Sequence, residues 1–129
     1  MTYFRIQLGK SAEDMAAEYL ESLGYEILER NFRCRFGEVD IIAKDGKWVV
    51  VVEVKAKTGA KFGRPEEMVG FSKQKKLIKL GQYYLYEKDY KDMPWRIDVV
   101  AVDFAPDGET AELRHHKGAV ENVLPKKYK

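Results

Sequence analysis

Asp40, Glu53 and Lys55 are charged residues set in apolar, β-branched surroundings. Acidic residues are depleted in strands, and the valines Val49–Val52 that precede Glu53 are typical of a strand buried on both faces. Carboxylates in such a place repel each other and lose hydration, and a divalent cation would offset both penalties. The alternative is a solvated end of a hairpin, where Lys55 pairs with Glu53 or Glu38.

The two apolar runs, Val39–Ala43 and Trp48–Val54, are predicted to form a β-hairpin. Asp45-Gly46 between them favours a tight two-residue turn, which would put Asp40 opposite Val51. One face of the hairpin would then carry Glu38, Asp40, Val51, Glu53 and Lys55. In this register Asp40 and Glu53 are diagonal neighbours, roughly 7 to 8 Å apart at the backbone, so both could reach one cation. A one-residue slip would send Glu53 and Lys55 to the opposite face from Asp40.

The donor types limit which metal could bind. Cys34 is the single cysteine, and the two histidines, His115 and His116, are adjacent in sequence. This set completes neither a disulfide nor a zinc site. A metal on the carboxylates is therefore expected to be a hard cation, Mg²⁺ or Mn²⁺.

A first helix is expected directly before the hairpin region. Ser11 with Asp14 three residues later predicts its N-terminal cap, apolar residues follow at helical spacing, and Gly24 supplies the stop. Glu13 lies in the first turn, near the edge of the apolar stripe. A favourable interaction with the helix dipole is its ordinary explanation.

The remaining elements complete an α/β fold in which helices pack on a mixed sheet. Short strands are predicted at Tyr25–Leu28 and at Ala111–His115, the latter as an edge strand, and a longer one at Trp95–Phe104. Ser72 is expected to cap a second helix that runs to about Tyr86. The inward stripe of that helix is Leu77, Leu80 and Tyr84. Thr58–Gly70 is predicted to be a loop that contacts substrate or moves.

Basic residues are concentrated after the hairpin. Between residues 55 and 79 there are eight Lys or Arg against two Glu, a local excess of +6. Such a patch favours binding to a phosphate backbone. The candidates for nucleic-acid contact are Arg33, Arg35, Lys57, Lys73, Lys75, Lys76 and Lys79. The alternative is a lysine-rich helix face that is only solvated.

Composition indicates an ordinary soluble domain rather than a membrane or fibrous chain. The 129 residues are 45% hydrophobic and 34% charged, with a net charge of +2. This length is typical of one domain. No signal peptide or membrane span can be read, and one cysteine is consistent with the cytoplasm. The basic tail, about residues 125–129, is expected to be disordered.

With these elements placed, the chain resembles the restriction-endonuclease-like superfamily, whose nucleases carry a PD-(D/E)XK signature. It is most similar to the YraN-like family and more distantly similar to archaeal Holliday-junction resolvases. The match runs over residues 9–102. The residues that carry it are Gly9, Glu13, Asn31, Gly37-Glu38-Val39-Asp40, Glu53-Val54-Lys55, Lys73, Lys76-Leu77 and Arg96-Ile97-Asp98-Val99-Val100.

The resemblance implies one nuclease-like domain over residues 1–129, with a restriction-endonuclease-like mixed sheet. It implies that Asp40 and Glu53 are metal ligands, that Lys55 is the catalytic lysine, and that Glu13 is an auxiliary acid at the metal. Lys57 departs from the family, which often has Arg at this position. An arginine could bind a phosphate with two hydrogen bonds, which a lysine does not do in the same way. A homodimer is compatible with the resemblance.

Three functions remain open from sequence. The first is a metal-dependent nuclease that hydrolyses phosphodiester bonds in DNA, including branched or flap structures. The second is a nucleic-acid-binding module on the same fold that cleaves little or not at all. The third is an interaction protein in which the acids are structural. Asp98 either supports the site or pairs with Arg96.

Overall fold

The structure is a computed structural model that describes residues 2–7, 9–58 and 69–120. Over these residues the chain forms six strands and two helices. The strands are β1 Thr2–Arg5, β2 Glu26–Cys34, β3 Gly37–Asp45, β4 Trp48–Thr58, β5 Trp95–Phe104 and β6 Thr110–His116. The helices are α1 Ala12–Ser22 and α2 Phe71–Glu87.

The six strands form one mixed sheet, in the order β1-β6-β5-β4-β3-β2. β4 and β5 are parallel, and the other neighbours are antiparallel. Because two parallel neighbours need a crossover connection, the segment that contains α2 joins β4 to β5. The predicted α/β class with a mixed sheet is confirmed.

The sheet is buried on both faces. Val49, Val50, Val51 and Val52 have no exposed surface, as the valine run predicted. Their side chains alternate between two apolar clusters. One cluster lies between the sheet and α1 and includes Leu20, Ile41, Val50, Val52 and Val100. The other lies beside α2 and includes Ile42, Val49, Val51, Leu77, Leu80 and Ile97.

The hairpin β3–β4 forms, but its turn differs from the prediction. Asp45 pairs with Trp48, so the two turn residues are Gly46 and Lys47. Gly46 adopts φ +59°, and a turn with glycine at its first position needs no positive φ at Asp45. Ile42 therefore lies opposite Val51 rather than Val49. The register moves by two residues, an even number, so each β4 side chain keeps its predicted face.

The helix boundaries are partly as predicted. Ser11 and Asp14 form the capping box of α1, and Gly24 follows its end with φ +93°. The N-cap of α2 is Gly70 rather than Ser72, with no side-chain cap. The inward residues of α2, Leu77, Leu80 and Tyr84, are buried as predicted.

Two strand predictions need correction. The strand predicted at Tyr25–Leu28 is the start of the nine-residue β2, which continues to Cys34. β6 is not an edge strand, because β1 pairs with it and takes the edge position. Most of the predicted substrate loop, residues 59–68, and the basic tail, within residues 121–129, lie outside the described residues. Within the described residues, neither helix combines the length and apolar character that crossing a membrane requires.

Candidate functional site

The site is organised around Asp40, at the point where β3 separates from β4. The β3–β4 register is continuous from Asp45 to Ile41 and stops there. The β2–β3 register passes from Ile41 to Val39 and omits Asp40, opposite Asn31, which has φ +53°. Asp40 Oδ2 instead accepts a hydrogen bond from the backbone N–H of Val54, at 2.9 Å.

This irregularity turns β3 about its own axis. Val39 packs in the cluster beside α2, whereas Ile41, two positions later, packs in the cluster beside α1. In a regular strand both side chains would lie on one face. Asp40 therefore lies between the two layers, and the prediction that Asp40 shares a regular face with Glu53 and Lys55 is wrong. The twist could not be read from the sequence, because Asn31 is the only local signal for it.

Glu53 is a buried carboxylate that two lysines contact. It is 5% exposed, on the α2 side of β4. Its Oε2 lies 3.3 Å from Lys73 Nζ and 3.6 Å from Lys55 Nζ. Burial raises the pKa of Glu53, and the negative charge of Asp40 adds to the rise while the charge of Lys73 opposes it. Glu53 and Asp40 thus influence each other electrostatically.

Glu13 comes to Asp40 from the other layer of the molecule. It lies in the first turn of α1, and burial raises its pKa, with further contributions from the charge of Asp40 and from a side-chain hydrogen bond with it. Arg30 opposes the rise in pKa. A residue that served only the helix dipole would have no need of a second acid beside it. Glu13 thus lies beside Asp40, and its role as an auxiliary acid stays a prediction.

The donors suit a hard cation, although the side chains do not form a ready metal cluster. Across residues 2–7, 9–58 and 69–120, no three His, Cys, Asp or Glu side chains are arranged to hold a metal ion. Glu53 is instead engaged by Lys55 and Lys73. The neighbouring Glu13 and Asp40 offer only oxygen ligands and repel each other, so a bound Mg²⁺ or Mn²⁺ would relieve their repulsion.

The predicted nucleic-acid contacts divide into two groups. Lys73 lies on the sheet side of α2 and contacts Glu53, so for Lys73 the alternative of a merely solvated helix face is wrong. Lys75, Lys76 and Lys79 are exposed to solvent, as predicted.

The other predicted contacts are dispersed around the hairpin. Arg33 pairs with Glu38 at 3.2 Å. The guanidinium of Arg35 lies 4.9 Å from the ring centre of Phe36. Lys57 is half-buried near the end of β4, two residues beyond Lys55.

A buried polar cluster that the sequence did not reveal surrounds Asp98, which has no exposed surface. Asp98 accepts hydrogen bonds from Arg96 Nε at 2.9 Å, His115 Nε2 at 2.8 Å and the Gly118 N–H at 3.0 Å. Arg96 also donates to Asp45 at 3.0 Å and to the Tyr25 hydroxyl at 2.8 Å. Asp98 therefore pairs with Arg96, one of the two alternatives that the sequence left open.

Hydrogen bonding decides the charge of Asp98. Burial alone would raise the pKa of Asp98, but the hydrogen bonds from His115 and Arg96 outweigh burial and lower it. Two of the partners, Asp45 and Tyr25, were assigned by sequence to a turn and a strand. Only the tertiary fold brings them to Arg96.

The six-stranded mixed sheet with its two helices is an α/β architecture compatible with a restriction-endonuclease-like fold. Within that class the chain belongs to the Uncharacterised protein family UPF0102, whose model matches residues 12–102. This is the YraN-like family that the sequence motifs indicated.

Relatives from several bacteria support this membership. A UPF0102 protein of Syntrophus aciditrophicus is 49% identical over 108 residues, which are 84% of this chain and 85% of the relative. One of Thermodesulfovibrio yellowstonii is 52% identical over 101 residues, 77% of this chain and 88% of the relative. A UPF0102 protein of Caldicellulosiruptor saccharolyticus is 43% identical over 113 residues, which are 88% of this chain and 96% of the relative.

Proposed function

We propose that this protein is a metal-dependent nuclease that hydrolyses phosphodiester bonds in DNA, including branched or flap structures. The observation that carries the proposal is that Asp40, held by the backbone N–H of Val54 where β3 separates from β4, has an acid from each of two other elements near it. Burial raises the pKa of both Glu13 of α1 and Glu53 of β4, and the negative charge of Asp40 of β3 adds to both rises. An arrangement that raises the pKa of two carboxylates is unfavourable for folding alone, and such arrangements are concentrated at functional sites.

The site residues would divide the chemistry among them. Mg²⁺ or Mn²⁺, when bound, would lower the pKa of a bound water and neutralise charge on the phosphate. Asp40 and Glu13 would hold the cation, with Glu53 as a further ligand. Lys55 would orient the attacking water or contact the phosphate. We favour this orienting and electrostatic role over a general-base role, because Lys55 Nζ is paired with the Glu53 carboxylate at 3.6 Å.

The two lysines on Glu53 would also respond to the cation. A divalent ion on the carboxylates would compete with Lys55 and Lys73 for Glu53 Oε2, which both contact. The released ammonium groups would then be placed to contact a phosphate beside the ion. Lys73 would thus act at the site, whereas Lys75, Lys76 and Lys79 would hold the nucleic-acid backbone without reading its bases.

The partner under this proposal is DNA, the working compartment is the cytoplasm, and a homodimer would allow two strands to be cut. The second candidate function is a nucleic-acid-binding module with little or no cleavage. The observation that favours it is the pairing of Glu53 with two lysines, which neutralises the carboxylate without a metal.

The deciding experiment offers the protein labelled single-stranded, duplex, flap and four-way-junction DNA with Mg²⁺ or Mn²⁺. Asp40→Asn and Lys55→Ala are compared with Lys47→Ala, which changes a lysine at the opposite end of the same hairpin. We expect Asp40→Asn and Lys55→Ala to reduce the cleavage rate by more than about 100-fold, and Lys47→Ala to retain it.

Mn²⁺ binding, measured by calorimetry, separates the two candidate functions. Binding that disappears in Asp40→Asn supports the nuclease. A folded wild-type protein that binds DNA, binds no Mn²⁺ and cleaves none of the substrates would favour the binding module instead.

A further inference from the structure

The outward side of α2 combines exposed aromatic rings with exposed lysines. Phe71 is 71% exposed and Tyr86 is 75% exposed. The residues that share their side of the helix are spaced three or four positions apart. We call these residues the outer face of α2: Phe71, Lys75, Lys79, Gln82 and Tyr86.

Water is an unfavourable environment for these rings. In the described part of the chain four large hydrophobic side chains are exposed, namely Tyr3, Leu23, Phe71 and Tyr86. Two of the four lie on the outer face of α2, about 22 Å apart along the helix axis. The ring of Phe71 also has Lys75 Nζ 4.6 Å from its centre. The outer face of α2 thus exposes an aromatic ring and a positive charge side by side.

The charge of the outer face selects the kind of partner. Lys75, Lys76 and Lys79 are exposed, and α2 has no acidic residue before Glu87 at its end. A second copy of the chain that used this face symmetrically would gather two sets of these lysines in one interface, with no acid before Glu87 to neutralise them. A polyanion would neutralise them instead.

Unpaired nucleic acid offers a partner both to the exposed aromatic rings and to the lysines. Exposed bases stack on aromatic rings, and the phosphates between them bind lysines. In a duplex the bases stack on one another, and only the phosphates remain accessible along the backbone. The 22 Å between Phe71 and Tyr86 corresponds to roughly six stacked nucleotides.

The outer face also leads to the candidate site. Phe71 is two residues before Lys73, and Lys73 Nζ contacts Glu53 at 3.3 Å. A strand bound along α2 with one end at Phe71 would therefore reach the end of the helix at which the carboxylates lie, and would pass around that end to meet them. We propose that the outer face of α2 binds an unpaired strand of nucleic acid, by stacking on Phe71 and Tyr86, and guides it to the site. The inference rests on the proposed function for its direction, but the binding itself is testable alone.

The experiment measures binding of a fluorescein-labelled 20-nucleotide dT strand by anisotropy, in EDTA and over a range of salt concentrations. The variant Phe71→Ala with Tyr86→Ala is compared with Lys75→Ala and with Tyr3→Ala, which removes an exposed ring at the far edge of the sheet. Urea midpoints verify that each variant is folded. The same titrations are made with a duplex of equal length.

We expect the double aromatic variant to lose about fivefold or more in affinity for the single strand. Its affinity for the duplex and its salt dependence should stay unchanged, because no phosphate contact is removed. Lys75→Ala should reduce the magnitude of the slope of log affinity against log salt by about 0.7 on the single strand. Tyr3→Ala should match the wild type.

Two results would overturn the inference. One is equal single-strand affinity for the double aromatic variant and the wild type. The other is a dimer, found by sedimentation, that dissociates in the double aromatic variant, since the rings would then serve self-association. Single-strand binding by the wild type that weakens in the double aromatic variant, together with no cleavage of any substrate by the wild type, would support the inference and refute the nuclease, so the two failures are distinguishable.

Discussion

Lys73 and Lys76 are three positions apart on α2, yet Lys73 contacts a buried carboxylate and Lys76 is exposed to solvent. Both are lysines in the same basic stretch of sequence, so both were predicted to contact nucleic acid. The angle around the helix separates them, because Lys73 lies four positions before Leu77 and seven before Leu80 and so shares the inward stripe. The identity of the acids could thus be predicted from motif spacing, whereas the second lysine on Glu53 depends on the rotation of α2.

Glu13 gives a prediction that needs no knowledge of the substrate. The pKa of Glu13 is raised by burial and by Asp40, so the folded protein binds the proton more tightly than the unfolded chain does. Its effect on stability is therefore favourable at low pH and is lost as pH rises through the folded pKa. Above the folded pKa of Glu13 its negative charge lies beside Asp40, which is unfavourable. We expect Glu13→Gln to raise the free energy of unfolding by about 0.5 kcal/mol at pH 7, and to have a smaller effect near pH 4.

Urea unfolding at the two pH values, in EDTA, measures this effect. Glu21→Gln, which changes an exposed acid near the end of the same helix, is the control and should leave stability unchanged. A Glu13→Gln variant that is less stable than the wild type at pH 7 would mean that Glu13 is held by favourable contacts, and not in a site that disfavours its charge.

The contact between α2 and β5 is close at one point. A Cβ atom added to Gly81 would lie 2.0 Å from the ring of Trp95, which is 4% exposed. Alanine is a better helix former than glycine by about 1 kcal/mol, so propensity alone favours Gly81→Ala. The clash outweighs propensity, because a packed ring cannot shift far. We expect Gly81→Ala to lower the free energy of unfolding by about 1 to 3 kcal/mol.

Denaturant unfolding followed by circular dichroism tests this contact. The double variant Gly81→Ala with Trp95→Leu should be less destabilised than the sum of the two single changes, because the smaller side chain makes room for the methyl group. Additive losses would show that Gly81 and Trp95 are energetically independent. The close approach of the Trp95 ring would then not be the reason that position 81 requires glycine.

An element could be predicted from the sequence when the residues that determine it are close together in the chain. The capping box of α1 involves Ser11 and Asp14 alone, and it forms as predicted. The start of α2 and the length of β2 were mispredicted because both depend on partners. β2 runs to Cys34 through polar residues because β3 pairs with it, as in Cys34 opposite Gly37. The turn of the hairpin was misplaced by one residue, because Asp45 is held by Arg96 of a strand that is distant in sequence.

The cluster around Asp98 connects distant parts of the chain. Arg96 and Asp98 belong to β5, His115 to β6, Asp45 to the end of β3, and Tyr25 precedes β2. His115 also lies 3.3 Å from the Tyr19 hydroxyl of α1, through its Nδ1. The cluster thus joins three strands, the residue before β2 and a helix, on the α1 side of the sheet. Among the described residues no contact links it to Asp40 or Glu53, which is why a structural role fits it.

The cluster predicts how the molecule responds to acid. The folded pKa of Asp98 is lowered, so its contribution to stability is present above the ordinary value of 3.8 and is lost as pH falls through the folded pKa. Asp98→Asn leaves Arg96 without its buried counter-charge. We expect a loss of about 3 kcal/mol in the free energy of unfolding at pH 7, and a shallower fall in stability below pH 4 than in the wild type.

Urea unfolding between pH 2.5 and 7 compares the free energies of unfolding of Asp98→Asn and the wild type, for which we expect a difference of about 3 kcal/mol at pH 7. Asp107→Asn is the control, because Asp107 is an exposed turn residue whose pKa is also lowered, by backbone hydrogen bonds from Glu109 and Thr110. Its change should affect stability far less. Equal losses for Asp98→Asn and Asp107→Asn would show that the buried cluster does not hold the strands together.

The central strand limits how this sequence can change. Val49–Val52 are completely enclosed, with a sheet neighbour on each side and a helix layer over each face. A polar or larger side chain at any of these four positions has no open side to which it could turn. Glu53 comes directly after them, so the position of its carboxylate is inherited from four residues that take no part in chemistry. Mutational freedom is therefore greatest at the two edges of the sheet, and a new specificity could be acquired there without disturbing the acids.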